Sequence, residues 1–128
     1  MAYSFNTSLA SSLDDAVERV AAALKEEGFG ILTEIDIKAT LKKKLDVDFY
    51  PYVILGACNP PFAYQALQAE GRIGLMLPCN VIVRELSPGE VEVAAIDPVA
   101  SMQAIENEDL GGVATEVRRR LQSVIENL

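Results

Sequence analysis

Apolar positions recur along this chain with two periods, and the changes from one to the other predict its elements. Tyr3 to Thr7 alternates, with Tyr3 and Phe5 expected on one side, and reads as a first strand. Leu13, Ala16, Val17, Val20, Ala21 and Leu24 then fall at helical spacing. Ser11 and Ser12 stand before this run as N-cap candidates, and Asp14 and Asp15 suit the positive first turn. Gly28 is placed as the residue just beyond the helix, where a left-handed backbone is wanted. Phe29 to Ile37 alternates again and predicts a half-buried strand.

A short helix is expected over 38–45, with Leu41 and Leu45 inward and Lys38, Lys42, Lys43 and Lys44 outward. Phe49 to Ala57 is rich in aromatic and branched residues and reads as the third strand, with Pro51 at its start or facing an edge. Asn59-Pro60-Pro61 is a helix-start signal, Asn as cap and Pro at the first helical position. That helix is expected to run to about Glu70, with Gly71 ending it. Ile73–Leu77 and Asn80–Leu86 read as apolar strand material interrupted by Pro78. Ser87-Pro88-Gly89-Glu90 is turn chemistry before a return strand through Val91, Val93 and Ala95. A short helix over 99–105 and a long one carrying Leu110, Val113, Ala114, Val117, Leu121, Val124, Ile125 and Leu128 complete the chain.

This order predicts an α+β fold: a single, mostly antiparallel sheet with helices packed on one face. Ferredoxin-like strand–helix–strand units with one extra strand and a C-terminal helix are the specific expectation. A doubly wound parallel sheet is the alternative, but only two helices are placed as crossovers. No linker or low-complexity segment divides residues 1–128, so one domain is expected.

Composition narrows the function classes. Half of the 128 residues are hydrophobic, enough for a core without a disulfide staple. Eleven basic against nineteen acidic residues give a net charge of −8, which opposes binding to nucleic acid or anionic membranes. The opening M-A-Y-S-F-N-T-S has neither the basic region nor the apolar run of a secretory signal, and no apolar run is long enough to span a bilayer. Two cysteines in such a chain predict free thiols in a reducing cytoplasm. The sequence contains no histidine, which removes the usual general base, the Ser-His and Cys-His pairs, and the commonest metal ligand.

The candidate chemistry therefore centres on Val53–Val83, where Cys58-Asn59 and Cys79-Asn80 repeat one dipeptide. Cys58 stands just ahead of a predicted helix start, whose dipole favours thiolate, although Pro60 and Pro61 remove two N–H donors. Twenty residues separate the two cysteines, so they are not a C-x-x-C motif, and a closed zinc site lacks further ligands. If the thiols converge, they could form a reversible disulfide, a Cu(I) site, or a nucleophile with its resolving partner. The other reading makes both small buried hydrophobes. Asn59 and Asn80, with Pro60 and Pro78 beside them, are candidate ligand-binding residues; capping for Asn59 and a local backbone bond for Asn80 are the structural readings. The lysines at 38 and 42–44, with Arg118, Arg119 and Arg120, form the only basic cluster and read as a solvated face. Glu34, Asp36 and Asp97 lie at strand ends as carboxylates without an evident partner. No G-x-G-x-x-G, Walker or G-x-S-x-G motif is present.

The strings I-L-G-A-C-N-P-P-F-A at 54–63, I-G-L-M-L-P-C-N-V-I-V at 73–83 and A-I-D-P at 95–98, with K-E-E-G-F-G-I-L-T-E-I-D-I at 25–37, resemble the domain-of-unknown-function family 302 over essentially the whole chain. The resemblance implies a small cytoplasmic α+β protein and a homodimer, and no established activity. Two functions follow as expectations. One is a thiol-based module handling redox change, a soft metal or an electrophile through Cys58 and Cys79. The other is a non-catalytic, dimeric module binding a small molecule or protein, with both cysteines structural.

Overall fold

A computed structural model describes residues 2–128. Its first strand, β1 (Ser4–Ala10), leads into helix α1 (Leu13–Glu26), whose start and stop are written locally. Ser12 Oγ accepts from the Asp15 amide at 3.2 Å, satisfying one orphan donor of the first turn. At the other end Gly28 adopts φ +87°, so its amide reaches the Lys25 carbonyl and that of Phe29 the Leu24 carbonyl. A side chain at Gly28 would strain this left-handed turn. Strand β2 (Gly30–Asp36) follows, and then helix α2 (Ile37–Leu45), capped by Asp36 through the Ala39 amide at 2.9 Å.

Strand β3 (Tyr52–Cys58) begins directly after Pro51, three residues later than the sequence pattern suggests. Phe49 and Tyr50 instead cluster against Tyr52, with ring centroids 4.5–6.3 Å apart. Helix α3 (Pro60–Ala69) occupies the expected place. Ile73–Met76, expected as strand, is a single 3-10 turn. Both edges of β3 are already taken by β2 and β4, so this apolar run cannot pair with the strand before it and buries Ile73 in a small satellite core instead. Strands β4 (Cys79–Ser87) and β5 (Glu90–Ile96) make the expected hairpin, turning at Gly89 with φ +81°. The helix expected over 99–105 is shorter, α4 (Pro98–Ser101), and α5 (Asp109–Glu126) ends the fold.

The five strands form one wholly antiparallel sheet in the order β1-β5-β4-β3-β2. The α+β class and the single antiparallel sheet are as the sequence predicts. The topology departs from ferredoxin-like interleaving: β2 to β5 are consecutive neighbours, and β1 lies on the far edge beside β5. Helix α1 joins the two edges beneath the sheet, burying Ala16, Val20 and Leu24.

Strand alternation sends Val53, Leu55, Ala57, Cys79, Val81, Val83, Val91, Val93 and Ala95 to the side covered by α1 and α5. Val117, Leu121, Val124 and Ile125 of α5 complete this core. The other face carries no helix and holds a shallow groove of about 510 Å³ lined by Tyr3, Tyr52, Asn80, Ile82, Arg84 and Glu92, among others. Tyr3 and Phe5 therefore diverge, contrary to the alternating pattern: Tyr3 precedes β1 and lines the groove, while Phe5 packs on the core. Among the described residues no helix is long and apolar enough to cross a membrane.

Candidate functional site

The apolar interior has two parts. The main core lies between sheet and helices, and a smaller one gathers Ala66, Ile73 and Leu110. They do not close on each other. A cavity of about 300 Å³ opens at their junction, walled on the main-core side by Phe29, Ala57, Cys79 and Val117 and on the other by Ala66, Leu77, Met102 and Val113.

Both cysteines line it, by different routes. Cys79 pairs with Ala57 at the end of the β3–β4 ladder and shares its inward face, 7% exposed. Cys58 is the last residue of β3 and is half-buried. Both are free thiols. Burial, reinforced by the neighbouring Cys58, pushes the Cys79 thiol up to about 11, so at neutral pH it is protonated and a poor nucleophile. The helix beyond Cys58 has Pro60 and Pro61 at its first two positions, and neither brings an N–H there.

Asn59 occupies the N-cap position of α3 as expected, but its side chain does not cap the helix. It turns back to donate from Nδ2 to the Glu27 carbonyl at 3.1 Å, and Arg120 Nη1 reaches the same oxygen at 3.0 Å. Arg120 also lies over the Phe62 ring, 5.0 Å from its centroid, and pairs with Glu116 at 3.0 Å. The end of α1, the β3–α3 junction and α5 are thus tied at one carbonyl, which sets the wall of the cavity behind Asn59. Pro78, after a cis bond from Leu77, lies against Gly56 from one side and also lines the cavity.

Of the six residues singled out by motif, Cys58, Asn59, Pro78 and Cys79 come together at this cavity. Pro60 is exposed and lies outside the lining. Asn80 is on the opposite side of the sheet: it follows Cys79 directly, and successive strand residues face opposite ways. The two Cys-Asn dipeptides are not equivalent in space. Met102, which no sequence pattern marks, joins the cysteines as a third sulfur-bearing wall residue.

Most of the other polar candidates serve the fold, while Glu34 is exposed on β2. Asp36 caps α2, and Asp97 caps α4 through the Val99 amide at 2.9 Å while pairing with Arg118 at 3.1 Å. Arg119 and Arg120 both pair with Glu116, whose carboxyl they hold down at about 2. Lys42 pairs with Asp46 and Asp48 on the exposed α2, which buries none of its residues. Among the described residues no group of three or more His, Cys, Asp and Glu is placed to hold a metal ion.

An α+β domain with helices on one sheet face and a sulfur-lined apolar cavity between two cores is the class that fold and site define. The family model described as "Domain of unknown function DUF302" matches residues 5–128, and the chain belongs to that family. Its fold is similar to the crystal structure of an uncharacterized conserved protein DUF302 from Bacillus stearothermophilus, at 26% identity over 98% of each chain and a TM-score of 0.89. No curated protein matches the chain.

Proposed function

We propose that the protein is a non-catalytic binding module whose ligand site is the cavity between its two cores. The observation that carries this reading is an opening of about 300 Å³ walled almost wholly by apolar side chains. Protein interiors otherwise close to crystal-like density, and ligand pockets begin at about this volume. A protonated Cys79 and the absence of histidine weigh against nucleophilic or acid–base catalysis there. Small aromatic probes titrated into the protein should shift the NMR signals of Val113, Ala57 and Val117. Ala63→Leu, which extends a half-buried cavity residue of α3, should abolish those shifts without unfolding the protein. Shifts that survive in Ala63→Leu, or that map elsewhere, would count against the cavity.

A thiol-based role is the second reading, supported by Cys58, Cys79 and Met102 lining one apolar space. Soft sulfur donors in water-poor surroundings suit Cu(I). Competition against a Cu(I) chelator tests this, with loss of binding in Cys58→Ser and Cys79→Ser. Free thiols support a reducing, cytoplasmic setting, and the helix-free sheet face supports a homodimer. Sedimentation of wild type against Ile82→Arg on that face tests the dimer.

A further inference from the structure

Asn59 is the one residue lining the cavity whose side chain carries a strong hydrogen-bonding group; thiols and thioethers are weak donors and acceptors. It is 6% exposed, and its orientation is set by chemistry. Nδ2 lies 3.1 Å from the Glu27 carbonyl, where the amide oxygen would meet oxygen. Arg120 Nη1 donates to the same carbonyl at 3.0 Å. Its other end, Oδ1, receives no hydrogen bond from the described residues, neither from the helix that Asn59 precedes nor from a neighbouring side chain. No side-chain polar atom among the described residues is both sealed from solvent and unpartnered, so Oδ1 keeps some open surface, and Asn59 is one of the residues that line the cavity.

We infer that the cavity takes a small uncharged ligand, mainly aromatic or hydrocarbon, that carries one hydrogen-bond donor and gives it to Asn59 Oδ1. This rests on the binding-module reading and names the ligand class for that site. The apolar walls receive the body of the molecule, and a volume of about 300 Å³ limits it to a small one. No Asp, Glu, Lys or Arg lines the cavity, so a charged group would be buried there without a counter-ion. A ligand without a donor leaves Oδ1 desolvated and unpaired, which is the larger loss in hydrogen bonding. A phenol or a short alcohol meets all three conditions, whereas a carboxylate, phosphate or ammonium fails on its charge.

The test compares p-cresol with p-xylene, two molecules of one shape in which a hydroxyl replaces a methyl group. Both are titrated into the full chain and followed by NMR, including the Asn59 side-chain amide. A purely apolar pocket favours p-xylene, because the hydroxyl loses its water without compensation. The expected result is that p-cresol binds at least as tightly and moves the Asn59 amide signals further than p-xylene does. Tighter binding of p-xylene would overturn the ligand class while leaving the binding-module reading in place. Binding of neither would overturn both.

Discussion

Asn59 donates from Nδ2 to the Glu27 carbonyl, 3.1 Å away, and makes no side-chain hydrogen bond to α3, the helix it precedes. The helix start is already satisfied in part by Pro60 and Pro61, which bring no N–H to cap. The amide is therefore free to tie α3 to the end of α1. Since Arg120 reaches the same oxygen, Asn59→Ala leaves the carbonyl one donor and should cost about 1 kcal/mol in urea denaturation. Asn59→Asp sets a carboxylate oxygen against a carbonyl oxygen in a buried place and should cost clearly more. Combined with Arg120→Ala, Asn59→Ala should cost more than the two single changes summed, because only the double variant strands the carbonyl.

Gly56 lies between Thr33, its cross-strand partner on β2, and Pro78 beside the cavity. A Cβ there would collide with Thr33 Oγ1 and stand 2.8 Å from Pro78 Cγ. Neither neighbour is the loose end of a long side chain. Gly56→Ala should therefore destabilise by about 1–3 kcal/mol, the range for overpacking a closed site. Thr33→Ala in the same chain should return part of that loss, the contact with Pro78 persisting. Thermal melts of the two single variants and the double variant read the coupling directly, and additive losses would contradict it.

Asp97 does two jobs from one buried carboxylate: Oδ1 accepts from the Val99 amide at 2.9 Å and Oδ2 pairs with Arg118 at 3.1 Å. It is 8% exposed, and Arg118 in turn lies 5.2 Å from the Phe5 ring centroid. Asp97→Asn keeps an oxygen for the cap and loses the ion pair; Asp97→Ala loses both. The Ala variant should cost about 1–2 kcal/mol more than Arg118→Ala, the difference being the cap. Equal losses for Asp97→Ala and Arg118→Ala would show that the cap contributes nothing.

Where local chemistry decides structure, the sequence is a good guide. Ser12 and Gly28 bound α1 as its polar and glycine signals indicate, and the Ser87–Glu90 turn joins β4 to β5. The candidate site is half legible. Four of its motif residues meet at the cavity, yet their meeting depends on β3 and β4 being neighbours, which no single element encodes. The opposed facing of Asn80 is implicit in its adjacency to Cys79 once Cys79 is known to open a strand. Ile73–Met76 carries apolar residues without a period, so only its tertiary place, with β3 already paired on both sides, tells turn from strand. Met102 carries no signal at all, because it reaches the cavity through the packing of the short α4 segment against α5.

The two thiols should separate in reactivity. Cys58 is half-buried, whereas Cys79 is buried and its thiol is pushed from the ordinary value near 9 up to about 11, first by burial and then by Cys58. Reaction goes through the thiolate, so at pH 8 a chromogenic disulfide reagent should titrate one thiol readily in native protein and the second only slowly. The slow thiol should persist in Cys58→Ser and vanish in Cys79→Ser. Its rate should climb as pH rises toward 11, beyond the point where an ordinary thiol has levelled off. The sign for stability is the same. The folded state holds the Cys79 proton more tightly than the unfolded chain does, so this contribution is complete below pH 9 and is lost as pH rises through about 11. Cys79→Ala should flatten that alkaline loss, and the same loss in Cys79→Ala as in wild type would place its origin elsewhere. Rapid and equal reaction of both thiols at pH 8 would show that the cavity wall opens far enough to hydrate Cys79, and a protonated Cys79 could then no longer be held against a thiol-based role.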